Sequence, residues 1–236
     1  MESQTMNTPL VLLPGMMCDE RLFDAQVAEF SSERQVIVLP VTQADSMQEL
    51  AKKVLEQAPS TFALAGLSMG GIVAMEVFRQ QPERIERLAL LDTNPRAELD
   101  EVKQGRARQL DRVAKGEMPS VMSEDMIPRY CHRDFPNSSI DKLCLDMANG
   151  LGDEVFVRQS LALRDRPDQQ QTLTTVIQPT LILAGEDDQL CPLDRHECMK
   201  ALIPHATLAL IPKAGHLTTL EQPEATNAAL RAWLES

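Results

Sequence analysis

The sequence predicts an α/β fold, a doubly wound and mainly parallel sheet of about six strands with helices on both faces and a helical cap insertion. Three observations predict it. Short apolar runs alternate with helical stretches along most of the 236 residues. The runs are near-continuous rather than alternating, as in strands buried on both faces. The alternation fails only over residues 95–178, where the chain is charged, contains helical pieces and offers no strand. Right-handed crossovers then wind helices onto both faces of the sheet.

Residues 1–8 are a polar lead-in. Leu10-Val11-Leu12-Leu13 is the first strand, stopped by Pro14-Gly15. Residues 19–30 carry Leu22, Phe23, Val27 and Phe30 at helical spacing. Val36-Ile37-Val38-Leu39 is the second strand, closed by Pro40. Residues 46–58 form a helix with Ser46 as cap, Glu49 three residues on, and Leu50, Val54 and Leu55 on the apolar face. Phe62-Ala63-Leu64-Ala65 is the third strand, and the helix after it is apolar almost all round. Strands follow at 87–92, 180–185 and 207–212, with helices at 194–203 and 221–234. Pro223 sits at a tolerated early position of the last helix. Within the insertion, helices are expected over 98–115, 120–130 and 153–164. The domain reading is a core of 1–94 and 179–236 and a helical cap of 95–178.

The formal net charge of -12 argues against a nucleic-acid partner and against an anionic membrane surface. No apolar run reaches a membrane-spanning length and no signal-peptide pattern opens the chain. Five cysteines, an odd number with no close C-x-x-C pair, are expected as reduced thiols in a cytoplasmic protein. No G-x-G-x-x-G follows a strand and no H-E-x-x-H occurs, so neither a cofactor nor a metal is expected.

Chemistry concentrates at Gly66-Leu67-Ser68-Met69-Gly70, which fits G-x-S-x-G between an apolar strand and an apolar helix. A serine attacks only if it is lifted clear of the sheet, and a very tight strand-to-helix turn does that at the cost of backbone strain. A serine nucleophile needs a base and the base needs an orienter. Of four histidines, His216 alone follows a strand at the end where catalytic groups collect. His205 lies at the other end of that strand, His196 within a helix and His132 within the insertion. The acid is open among Glu186, Asp187 and Asp188, after the fifth strand, and Asp92, at the end of the fourth.

Taken together, these segments resemble the α/β-hydrolase fold family, in its compact esterase-like branch. The resemblance rests on Leu13-Pro14-Gly15, the serine turn, Gln81-Pro82-Glu83-Arg84, the loop from Gly185 to Pro192, Ala214-Gly215-His216 and Glu221-Gln222-Pro223-Glu224. It implies a triad of Ser68, Asp188 and His216, with Asp188 placed by the family's G-x-x-D-x-x-x-P loop. It also implies an oxyanion hole from the amides of Met69 and Met16. Pro14 departs from the family's usual histidine, removing a side chain that tethers this loop while leaving the Met16 N–H. Family members often carry two more strands before the first one here; only nine residues precede Leu10, so the resemblance implies that the second strand lies at one edge of the sheet.

The expected partner is a small-molecule acyl substrate, an ester, thioester or lactone, cleaved through an acyl-enzyme. Carbon–carbon cleavage, a lyase step and cofactor-free perhydrolysis share the same scaffold, and a non-catalytic binding protein is the remaining alternative. Met17, Met118, Met122 and Met126 are expected to line an adaptable acyl pocket. Aromatic residues make up only 3% of the chain, so a broad platform for large rings is not expected. Arg106, Arg108 and Arg112 read equally as a basic patch for an anionic substrate and as a solvated helix face.

Overall fold

The computed structural model describes residues 7–236, so residues 1–6 of the polar lead-in lie outside it. The elements run β1 (Leu10–Leu13), α1 (Asp24–Phe30), β2 (Val36–Val38), α2 (Met47–Gln57), β3 (Phe62–Leu67), α3 (Met69–Gln80) and β4 (Ile85–Leu91). Then come α4 (Asp100–Val113), α5 (Met118–Val121), α6 (Ser138–Leu151), α7 (Asp153–Arg164) and α8 (Gln170–Leu173). The chain closes with β5 (Thr180–Gly185), α9 (Leu193–Leu202), β6 (Thr207–Ile211), α10 (Thr218–Glu221) and α11 (Pro223–Glu235).

The six strands form one sheet in the order β2-β1-β3-β4-β5-β6, every pair parallel, with β2 at an edge as expected. β1, β3 and β5 are buried along their whole length, which is why their sequences read as unbroken apolar runs. The helix α2 packs on α3, and α3 on β1, β3 and β4; α1, α10 and α11 pack together, with α11 against β5 and β6. Strand order reverses between β1 and β3, the switch point where an open α/β sheet forms its crevice. Leu13 pairs with Gly66 there, so the loops after β1 and β3 emerge side by side.

Local chemistry explains most boundaries. Ser46 accepts from the Glu49 N–H at 3.3 Å and starts α2. Two expected helices are more broken than their spacing suggests. Residues 19–30 divide into a 3₁₀ turn, Glu20–Phe23, and α1, because Asp19 accepts from the Arg21 N–H and tightens the first turn. Residues 120–130 divide into α5, a π turn (Met122–Met126) and a 3₁₀ turn (Ile127–Arg129), with Pro128 withholding a backbone donor. The helix α6 was not among the expected elements, although Asn137 caps it by accepting from the N–H groups of Ser139 and Ile140. Gly152, at φ 80°, ends α6 and opens α7.

Candidate active site

Ser68 occupies the one-residue turn between β3 and α3, with φ 55° and ψ −117°. That conformation strains any residue with a side chain. It is held because its neighbours leave no alternative. A Cβ on Gly66 would overlap the carbonyl of Gly70, and a Cβ on Gly70 would overlap the carbonyl of Leu13. From the end of β4, the Thr93 hydroxyl donates to the Ser68 carbonyl at 2.7 Å.

His216 lies in the loop after β6. Its backbone N–H donates to the Tyr130 carbonyl at 2.7 Å, and its Nδ1 faces both Asp188 oxygens at 2.9 and 3.0 Å. Asp188 Oδ1 also accepts from the amides of Leu190 and Cys191 at 2.8 and 2.9 Å. Burial opposes ionisation of Asp188, but His216 and those hydrogen bonds outweigh it and hold the carboxyl below the usual range. With Nδ1 committed to Asp188, Nε2 is the nitrogen left for proton transfer. Ser68 and His216 line one cavity of about 220 Å³.

The alternative acids sit elsewhere. Asp92 is fully buried, accepting from the Gly185 N–H at 2.8 Å and the Thr218 hydroxyl at 2.6 Å. Burial first, then the Asp188 charge, pushes its carboxyl well above the usual range. Asp187 pairs with Arg133 of the insertion at 2.6 Å and accepts from the Arg133 amide at 2.9 Å.

Met69 is the first residue of α3, and Met16 lies in the loop after β1 and lines the cavity. Among the described residues, neither amide N–H has a hydrogen-bond acceptor. Gln159 of α7 holds this loop, its Oε1 accepting from the Met17 N–H at 2.8 Å while its Nε2 donates to the Val41 carbonyl at 2.9 Å. Of the four methionines expected along the pocket, Met126 is on its wall. Met17, Met118 and Met122 are buried in the hydrophobic core and do not line the cavity, a correction to that expectation. Arg106 reaches the cavity, whereas Arg112 is bound by Glu117, Glu124 and Asp125 and Arg108 lies away from it.

Two thiols also reach the cavity. Burial pushes Cys18 up to about 12 and drives Cys191 well above its ordinary value, so neither supplies a thiolate near neutral pH. Asp188, Cys191 and His216, and separately Asp92, Asp188 and His196, place ligand-type atoms within 4.8 Å of one another. These are the groups that could approach a cation, yet the carboxylates already accept from protein donors and Cys191 resists deprotonation. Burial lowers His196 to about 4, and its Nε2 accepts from the Thr93 N–H at 3.3 Å.

Several site residues escaped sequence reasoning. Glu221 clamps the histidine loop, its Oε1 accepting from the Gly215 and Leu217 amides and its Oε2 from His132. It stood in the quoted Glu221-Gln222-Pro223-Glu224 segment, the one signal available. Thr93, Gln159, Arg129, Arg166 and Arg195 carry no local pattern, whereas Arg106 was legible as one member of a candidate basic patch.

A model of the alpha/beta hydrolase family matches residues 10–229. The chain is 24% identical to the pimeloyl-[acyl-carrier protein] methyl ester esterase of Nitrosomonas europaea, covering 91% of each. An esterase from Thermogutta terrifontis, solved with malate bound, matches with a TM-score of 0.89 at 30% identity, over 98% of this chain and 90% of that one. The enol-lactonase from Burkholderia xenovorans LB400 shares the fold, with a TM-score of 0.88 at 19% identity over 99% and 94%.

Proposed function

The chain belongs to the alpha/beta hydrolase family, and from that premise we propose that it is a serine esterase that hydrolyses a small or medium carboxylic ester, thioester or lactone. The observation that carries the reading is the buried His216–Asp188 pair, whose histidine lines the same cavity as a serine held on a strained turn. The names of the esterase relatives support the reaction class.

In this reading Ser68 Oγ attacks the acyl carbon and gives its proton to His216 Nε2. The Met16 and Met69 amides receive the oxyanion; one such donor contributes about 2.7–4 kcal/mol to the transition state. The tetrahedral intermediate expels the alcohol or thiol, which takes the proton from His216. Water, deprotonated by His216, then attacks the acyl-Ser68 ester and releases the acid. Asp188 fixes the imidazole tautomer throughout and stabilises the imidazolium. Residues 95–178 serve as the cap, since Val102, Met126 and Leu163 of this segment wall the same cavity as Ser68.

A fluorophosphonate probe tests the assignment. Wild type is expected to be labelled at Ser68 and Ser68→Ala to be unlabelled. Labelling that persists in the Ala variant would sink the nucleophile, and labelling without turnover of any nitrophenyl ester would sink the ester reading.

A further inference from the structure

The chain carries a net charge of -12, yet the cavity reverses that sign. Arg106, Arg129, Arg166 and Arg195 all line it, against one carboxylate, Glu98. Glu98 is shared, with Arg106 at 2.9 Å and Arg166 at 3.1 Å, so one negative charge answers two positive ones. Arg195 pairs with Asp194, outside the cavity. Arg129 has no carboxylate partner among the described residues; its Nη2 donates to the Gln189 carbonyl at 3.0 Å. The rest of the wall is mainly apolar, with Ile72, Leu163 and Leu190, and the exposed Leu99 and Val102 beside them.

Ion pairing within the fold explains Arg106, Arg166 and Arg195 but not Arg129, which lines the same small space as Ser68 and His216 with no carboxylate partner among the described residues. Guanidinium forks bind carboxylates through paired hydrogen bonds and are weakly hydrated, so they suit a partly enclosed anion site. We infer that the substrate is an ester carrying a second, anionic group, a half-ester of a dicarboxylic acid, whose free carboxylate is received by Arg129 and the Glu98-bridged arginines. The apolar wall spans the methylenes between the two ends. This inference rests on the esterase reading and names its substrate class.

The test compares monomethyl adipate with methyl hexanoate, esters of matched length that differ in the charge. Wild type is expected to favour the half-ester at least about tenfold in kcat/KM, the range of a hydrogen bond to a charged group. That ratio is expected to fall at least about fivefold in Arg129→Gln. Equal turnover of both esters, or a ratio unmoved in Arg129→Gln, would overturn the inference while leaving the esterase reading intact. If neither ester is cleaved, the nitrophenyl esters decide whether the esterase reading has failed, and calorimetric titration of Ser68→Ala with adipate still decides the anion site. Adipate binding that weakens at least about fivefold with the added Arg129→Gln change supports it. Hexanoate binding as tightly as adipate, or inorganic phosphate displacing adipate at equal concentration, overturns it.

Discussion

The Gln159 side chain bridges two segments of the core from the inserted helix α7, accepting from the Met17 N–H at 2.8 Å and donating to the Val41 carbonyl at 2.9 Å. Met17 itself stands at φ 56°, in the turn that Cys18 closes onto Gly15. Gln159 thus tethers that loop to the segment at Val41. Gln159→Leu should therefore disorder the Met16 amide. We expect kcat on a nitrophenyl ester to fall by about tenfold or more with KM little changed, because the oxyanion donor proposed for Met16 would act in the transition state. Two buried backbone groups lose their partner, so stability should drop by about 1–3 kcal/mol in urea titrations. A fall in stability with kcat intact would show the bridge to be structural only.

The strain at Ser68 predicts an inverse relation between activity and stability. A residue with a side chain at φ 55° and ψ −117° costs about 1–3 kcal/mol, and glycine relieves most of it. Ser68→Gly should melt higher than both wild type and Ser68→Ala, with both variants inactive. If Ser68→Gly and Ser68→Ala melt together, the turn stores no such strain.

The sheet was legible because strands buried along their whole length, as β1, β3 and β5 are, must be apolar throughout, and the serine turn because its flanking glycines answer to backbone overlap rather than to taste in side chains. The insertion was less legible. Pro128 and the π turn at Met122–Met126 break a spacing that reads as one helix, and the Asn137 cap was the only herald of α6. The pocket was least legible of all. Met17, Met118 and Met122 look like pocket residues by proximity in sequence, but which side of a helix or loop faces the cavity is decided by packing between elements. The same holds for Arg129, Arg166 and Arg195, which lie far apart in the chain and converge only in the fold.

Asp92 and Asp188 are neighbouring buried carboxyls held in opposite states, and substitution should separate them. Burial and the Asp188 charge raise Asp92, so its neutral form is the stable one in the folded protein. Below the ordinary carboxylate range both folded and unfolded Asp92 are protonated and nothing is lost. As pH rises past that range the unfolded chain ionises first, so stability declines until the raised folded value is reached. Asp92→Asn should remove that decline, because an amide can accept from Gly185 and donate to the Thr218 hydroxyl. It should also keep kcat within about fivefold, whereas Asp188→Asn should lose about 10⁴-fold through the wrong imidazole tautomer. Unfolding free energies of wild type and Asp92→Asn across pH 4 to 8, about the span over which carboxyls and imidazole titrate, check the first claim. A larger loss of kcat in Asp92→Asn than in Asp188→Asn would reassign the acid.

Glu98 ties the insertion together at the cavity wall, and its loss should cost far more than that of an ordinary surface carboxylate. Its side chain is 6% exposed, as is that of Arg166, and Arg106 is 14% exposed. Burial already lowers Arg166, so the guanidinium depends on its carboxylate. Removing one partner of such a group leaves uncompensated buried charge, which typically costs about 3–5 kcal/mol. Glu98→Gln should lose that much in urea unfolding with an unchanged slope, while Glu29→Gln, which weakens the half-exposed Arg231 cluster at 2.6 Å, should lose less than about 1 kcal/mol. Equal losses in the two variants would mean that Arg106 and Arg166 are solvated without Glu98, and that the positive cavity wall is not held in place by it.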